Sequence, residues 1–247
     1  MAEPGPAWSS VSPEAFERQL SALERRGYRG AGGASLPNLA SGRGDGKHRA
    51  ALLTFDDGYR DNHDVAFPLL RRYGFTGLFF VLPTFVDRGA PLLWPEVEER
   101  VRAHPSVMRS MTWRQVEAMA EGGCEFGSHG LLHRHLTRLD DEELHEELWE
   151  SRRLIKERLG NCDTLAYPFG DWSPRVARAA AAAGYSWAFT LPDGAQRDAT
   201  ALSIPRIPVD HRDGSTRFAL KASPLGRRLL LSPLKDRLRG LRLAQGR

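Results

Sequence analysis

Six short apolar runs punctuate the chain: AALLTF (50–55), TGLFFVL (76–82), CEFGS (124–128), TLAYP (164–168), SWAFT (186–190) and LSIPRIPV (202–209). The first is apolar without alternation, as a strand buried on both faces must be. Segments with helical spacing separate most of the runs. Strands that alternate with helices call for a parallel sheet flanked by helices, either open or closed as a barrel. The expected fold class is therefore α/β, and in both architectures chemistry belongs at the carboxyl ends of the strands.

The helical segments carry their own start and stop signals. In SPEAFERQLSALERRGY, Ser12 can cap, Pro13 suits the first turn, and Phe16, Leu20 and Leu23 share one face. DNHDVAFPLLRRYG closes at Gly74, and TWRQVEAMAEGG opens on Thr112 as its cap. DDEELHEELWESRRLIKERLG starts with acids and ends with bases before Gly160, as the helix dipole favours. SPRVARAAAAAGY has Ser173 as cap and Pro174 in its first turn. RGAGGASLPNLASGRGDGKH reads as a loop with at most one poor strand.

A chain of 247 residues is long enough for one sizeable core, and one domain is expected. Residues 1–49 add a helix and a Gly-rich loop to the principal body at 50–215, and 216–247 form a basic tail. No apolar stretch approaches the roughly 18 residues that span a bilayer, and the opening MAEPGPAWSS lacks a secretory signal, so the cytoplasm is the expected compartment. Cys124 and Cys162 lack metal-type spacing and are expected as free buried thiols. Residues 221–247 hold eight Lys/Arg against one acid, which leaves the preceding 220 residues at −3 within a total of +4. In PLKDRLRGLRL, Leu234, Leu238 and Leu241 recur at i, i+4 and i+7 among Lys235, Arg237, Arg239 and Arg242. Such a basic amphipathic helix either packs its leucines on the domain or makes peripheral contact with an anionic membrane. A nucleic-acid partner is not expected, because no aromatics are interleaved with the charges.

Three of the run ends carry reactive side chains. Asp56 and Asp57 end AALLTF, and Gly58 lets the chain turn at once. Adjacent side chains on a strand point differently, so the two carboxylates can take different tasks; capping the next helix is the competing role. His129 and His133 follow CEFGS at i and i+4, the spacing that brings two imidazoles onto one side of a helical turn. Two imidazoles and one carboxylate make a three-ligand site with a position left open for water, the pattern of a catalytic metal. His135 is two residues further and reads as surface or loop. At the end of TLAYP, the Phe169–Gly170 turn exposes backbone N–H groups that can hold an oxyanion, while Tyr167, Phe169 and Trp172 can floor a sugar site. The same residues can equally plug the end of the sheet.

TFDDGY, SHGLLH and YPFG, in this order and at these strand ends, resemble the first three motifs of the polysaccharide deacetylase family, the NodB-homology or carbohydrate esterase family 4 proteins. The resemblance runs from about residue 10 to 210. It implies a distorted (β/α) barrel of about seven parallel strands and a hydrolase that removes N-acetyl, occasionally O-acetyl or formyl, groups from sugars with a divalent metal, usually zinc. It further implies Asp57, His129 and His133 as metal ligands, Asp56 as general base and the Phe169 N–H as oxyanion donor.

The chain also departs from the family pattern. Ala166 stands where the third motif usually opens with an arginine that orients the catalytic Asp. Arg206, in IPRIPV, can reach that Asp from another strand end or form an ion pair that closes the barrel. The late Asp-Trp and Leu-x-His motifs are not evident, which leaves His211 in VDHRDG as the candidate general acid. A Tyr-His segment common before the first helix in this branch is absent from the sequence. The expected substrate is a carbohydrate or glycolipid bearing an N-acylated amino sugar. A deformylase or deacylase of a lipid-linked sugar at the membrane face, and a catalytically silent carbohydrate-binding homologue, stay open beside it.

Overall fold

The computed structural model describes residues 11–40, 49–86, 89–192 and 200–230. Helix α1 (Pro13–Arg25) begins as its sequence dictates: the Ser12 hydroxyl accepts the Ala15 N–H, and proline needs no N–H partner in the first turn. Leu20 and Leu23 are buried on its inner face, and Phe16 meets the ring of Phe55 edge-on at 5.9 Å. Strand β1 (Tyr28–Gly30), helix α2 (Leu36–Ala40) and strand β2 (Arg49–Ala51) follow, and the two strands pair in a small parallel sheet of their own. The Gly-rich stretch thus contributes a strand and a short helix.

The AALLTF run breaks at Leu52, whose side chain joins an interior cluster with Leu36; β3 (Leu53–Phe55) then opens the main sheet. A wide helical turn at Asn62–Ala66 runs into α3 (Phe67–Arg72), and β4 (Gly77–Val81) returns to the sheet. The excursion that follows holds α4 (Pro83–Val86) and α5 (Glu98–Ala103), before α6 (Trp113–Glu121) and β5 (Glu125–Ser128). The remaining elements are α7 (Asp141–Leu159), β6 (Thr164–Ala166), α8 (Pro174–Ala183), β7 (Trp187–Thr190), β8 (Ile204–Pro205), α9 (Ser215–Ala222) and α10 (Pro224–Leu230).

The main sheet runs β3-β4-β5-β6-β7-β8, with every pair parallel. Among the described residues it has six strands against the expected seven or so, and the first half of AALLTF pairs with β1 instead. Alternation along the strands separates two apolar layers. Phe79, Val81, Leu165 and Ala188 face the helices, while Leu78, Phe80, Ala166 and Phe189 line the inner side. Phe55, Phe79 and Phe126 stack across three neighbouring strands at 4.6 and 5.6 Å. Phe79 and Phe80 are completely buried, and each contributes about 1.5–3 kcal/mol of apolar burial.

Among the described residues β3 and β8 are not joined by strand pairing, and a side chain bridges this seam. Arg206, directly after β8, donates to Thr54 Oγ1 at 3.2 Å and to the Asp56 carboxylate, with its guanidinium over the rings of Phe80 and Phe189. The tail expected from residue 216 begins instead as part of the body. Phe218 is buried in the core, Lys221 pairs with the buried Asp213 at 2.6 Å, and the Tyr28 hydroxyl donates to the Ala222 carbonyl. An apolar contact and a buried ion pair in α9 are what the charge count of the tail concealed. The Leu234–Leu238–Leu241 pattern lies outside the described residues. Cys124 and Cys162 are free and buried, and burial pushes the Cys162 thiol up to about 12. No described helix is long and apolar enough to cross a membrane.

Candidate metal and catalytic site

The segments that follow β3, β5 and β6 each hold a non-glycine residue with left-handed backbone: Asp57 at φ 67°, His133 at φ 58° and Phe169 at φ 61°. No other described non-glycine residue has positive φ. L residues pay for this conformation in steric strain, so its concentration at one end of one sheet marks a place where side-chain position matters more than backbone comfort.

His129 follows β5 directly, and its amide donates to Val81 at the end of β4. His133 stands on an irregular loop rather than the helical turn its spacing suggested. Gly130, at φ 84°, and the left-handed His133 itself fold the five residues back, so that the i and i+4 imidazoles converge without a helix. The two rings lie edge to face at 4.9 Å, and Trp94 stacks on His133 at 4.1 Å. Both histidines are buried, and their Nε2 atoms lie 3.3 and 3.4 Å from Asp57 Oδ1.

The donor chemistry decides what fits between them. His129 Nδ1 is 2.8 Å from the Ala166 carbonyl, an acceptor only, so Nδ1 carries the hydrogen. In the neutral ring Nε2 then turns a lone pair toward the Asp57 carboxylate, an arrangement that is repulsive unless positive charge lies between. Tetrahedral bonds of about 2.0–2.2 Å place neighbouring ligand atoms about 3.3–3.5 Å apart. The two nitrogen–oxygen distances have that size, and the three ligand atoms lie within 4.8 Å of one another. Asp57, His129 and His133 therefore fit a divalent cation.

The protonation preferences follow from the same packing. With no cation between them, protons on the facing imidazoles take that place: burial opposes the charge on Asp57, but hydrogen bonds from His129 and His133 and their positive charge hold its carboxyl well below the ordinary range. Burial also opposes the charge on Asp56, and the Arg206 guanidinium, with a smaller contribution from His129, outweighs it. Burial alone would lower His129, yet the charges of Asp56 and Asp57 raise it; for His133 burial prevails and the imidazole is lowered.

Asp56 takes no part in the histidine cluster. Arg206 Nη1 and Nη2 donate to its two oxygens at 2.6 and 2.8 Å, a bidentate clamp that fixes the carboxylate plane. Contact with Asp56 and an ion pair at the seam between β3 and β8, read from the sequence as alternatives, belong to one side chain.

The remaining candidates divide. Phe169 borders the cluster, its ring 4.4 Å from His133 and stacked on His135 at 3.9 Å. Gly170 and Asp171 donate their amides to Tyr167 and Pro168, which leaves the Phe169 amide as the donor this turn can offer. Tyr167 is not a sugar floor: its ring is fully buried in the core, and its hydroxyl donates to the Leu202 carbonyl at 2.8 Å. Strand alternation turns it away from the site. Trp172 is half-buried against the same large cluster. His211 is exposed on the turn before α9, and no described hydrogen bond or ion pair joins it to Asp56, Asp57, His129 or His133.

Three neighbours were given no part in the site by the sequence. Trp94 packs on His133 from the long excursion, and its place in LLWPEVEE carries no periodic signal. His135, read as surface or loop, stands in a loop and lies between Asp171 at 3.3 Å and Glu96 at 3.6 Å. Glu147 is buried on α7 and accepts the amides of Leu131 and Leu132. Its signal was legible: a carboxylate on the apolar stripe of Leu144, Leu148, Ser151 and Ile155.

Comparison with known proteins finds relatives of the chain. A family model described as polysaccharide deacetylase matches residues 43–188. The chain is 24% identical over 201 residues to the polysaccharide deacetylase homologue YxkH of Bacillus subtilis, covering 81% of this chain and 65% of that protein. It is 24% identical over 241 residues to the poly-β-1,6-N-acetyl-D-glucosamine N-deacetylase of Escherichia coli K12, covering 85% of this chain and 35% of that protein. The chain thus spans less than two thirds of the length of these curated relatives. Among solved structures it resembles the Streptococcus pyogenes deacetylase PplD, with TM-score 0.71, 21% identity and coverage of 87% and 88% of the two chains. It also resembles IcaB from Ammonifex degensii, with TM-score 0.69, 26% identity and coverage of 85% and 88%.

Proposed function

The chain belongs to the polysaccharide deacetylase family, and from that premise we infer that it is a zinc-dependent hydrolase removing an N-acetyl group from an amino sugar of a polysaccharide or glycoconjugate. The observation that carries the reading is the pairing of two unlike carboxylates. Asp57 faces two imidazole nitrogens at 3.3 and 3.4 Å, and its neighbour Asp56 is clamped by Arg206 beside it.

Asp57, His129 and His133 would hold the cation. When bound, it supplies Lewis acidity that polarises an acyl carbonyl and acidifies water. Asp56 does the proton chemistry. The Arg206 guanidinium keeps it ionised, so it can accept a proton from the attacking water and stays oriented while it does so. The Phe169 amide, presented by the left-handed turn, donates to the oxygen on which negative charge develops. Phe169 and Trp94 cover His133 and keep bulk water from its ring. The proton that Asp56 takes from water is then passed to the leaving nitrogen as the C–N bond breaks, and the products are a free amine on the sugar and a short carboxylate.

The 24% identity to a poly-β-1,6-N-acetyl-D-glucosamine N-deacetylase over 85% of this chain favours β-1,6-linked N-acetylglucosamine among the amino-sugar polymers. The test incubates the purified, zinc-loaded chain with such oligosaccharides and with N-acetylated chito-oligosaccharides, and measures released acetate. Release that is abolished by chelation and restored by zinc is expected. Bound zinc with no release from either series would overturn the hydrolase reading in favour of a carbohydrate-binding one. Peripheral contact with anionic lipid rests on the charge and leucine spacing of the C-terminal segment alone; loss of liposome flotation on deleting residues 231–247 is the expected outcome.

A further inference from the structure

We propose that Glu147 of α7 is the positioning residue that sets His133 against His129 and Asp57, by taking the two amides that precede His133 onto one buried carboxylate oxygen. The inference rests on the reading of these three residues as a cation site.

His133 is held unlike its partner. His129 Nδ1 donates to the Ala166 carbonyl, whereas His133 Nδ1 is buried without a hydrogen-bond partner among the described residues. No second bond steers the His133 ring, so its place depends on ring packing and on the backbone that carries it. That backbone is left-handed at φ 58°, a conformation that persists only where the surroundings over-determine it.

Side chains supply that constraint at every amide between the two histidines. Gly130 donates to Ser128 Oγ at 3.0 Å, and Leu131 and Leu132 both donate to Glu147 Oε2, at 2.7 and 3.1 Å. Thr84 Oγ1 donates to the Leu131 carbonyl from the opposite side. Glu147 is only 2% exposed, and its helix is anchored beneath the loop by Ser151, which bonds to the Ser128 hydroxyl at 2.8 Å and to the Glu147 carbonyl at 2.7 Å. Even the residue type at 130 is consistent with the grip, because a Cβ there would stand 3.2 Å from Glu147 Oε2. A buried carboxylate on an apolar helix face is costly unless it meets donors. Here its donors are the amides leading into a candidate ligand.

Two substitutions separate reach from charge. Glu147→Gln keeps an acceptor oxygen at full length without the charge, and Glu147→Asp keeps the charge but withdraws it by one methylene. Zinc affinity of the full chain is read by competition with a chromophoric chelator, and amide hydrogen exchange is followed at Leu131 and Leu132. Glu147→Asp is expected to weaken zinc binding about 10–100-fold and to speed exchange at both amides. Glu147→Gln should stay close to the wild type in both readouts. Glu147→Asp binding zinc as tightly as Glu147→Gln, or more tightly, overturns the positioning role while leaving the metal reading intact. A wild-type chain that binds no zinc overturns both.

Discussion

Left-handed turns occur at both ends of the parallel sheet, but among the described residues only those at the carboxyl ends also hold non-glycine residues in that conformation. Where α3 and α7 turn back toward β4 and β6, the left-handed positions are Gly74 and Gly160, and nothing stands near where their Cβ atoms would be. Glycine adopts this conformation without steric cost, and the turn needs nothing more. At the carboxyl ends of β3, β5 and β6 the same conformation is imposed on Asp57, His133 and Phe169. Under the proposed function the side chains of Asp57 and His133 and the amide of Phe169 are what these positions supply, and at His133 the strain is offset by ring packing and by the amide grip around the loop. The amino ends serve folding alone, whereas the carboxyl ends give up stability for a fixed array of donors.

Asp57→Gly tests this contrast most severely. It keeps the backbone conformation and removes the ligand. Zinc binding and deacetylation should both be lost, while stability in the presence of chelator rises by about 1 kcal/mol in denaturant unfolding. A zinc-free variant no more stable than the wild type would show that position 57 carries no strain.

Asp56→Asn acts one residue earlier, outside the left-handed set. Deacetylation should fall by about 10²–10⁴-fold with zinc affinity unchanged, which steady-state kinetics and a metal titration resolve. Equal loss of metal would merge the two carboxylates into one role.

Arg206→Met addresses the clamp. Misorientation of Asp56 should lower kcat/KM at neutral pH by about 10²-fold. The pH profile carries the sign. Arg206 holds the Asp56 carboxyl below its ordinary value, so the base stays ionised as pH falls; without the guanidinium its pKa rises and the acid limb moves to higher pH. An unmoved limb would assign that limb to another group.

The smallest effect belongs to the amino end. Gly160→Ala should cost about 1 kcal/mol in unfolding experiments and leave zinc affinity and turnover as they were.

Much of this arrangement was legible from local chemistry. Caps at Ser12, Thr112 and Ser173, the stop at Gly160 and the apolar strand runs are short-range effects, and the helices form where those signals place them. The residues with chemistry at strand ends could be found because polar groups after a buried run need a reason to be there. Tyr167 was misread because an aromatic beside a turn looks the same whether its ring faces the site or the core; only the strand's facing decides, and it turns the ring into the helix-facing core with Leu165. The boundary at 216 failed for a related reason: charge counting cannot reveal that Lys221 has a buried partner in Asp213.

The amino-acid sequence by itself determined the α/β alternation, the three strand-end motifs and the candidate ligand residues, since periodicity and side-chain chemistry act over a few residues. Tertiary structure alone decided that Arg206 spans 150 positions of chain to clamp Asp56, that five loop residues bring two imidazoles together without a helix, and that Glu147 holds that loop. Those contacts depend on how strands curl and helices pack, which no local spacing encodes.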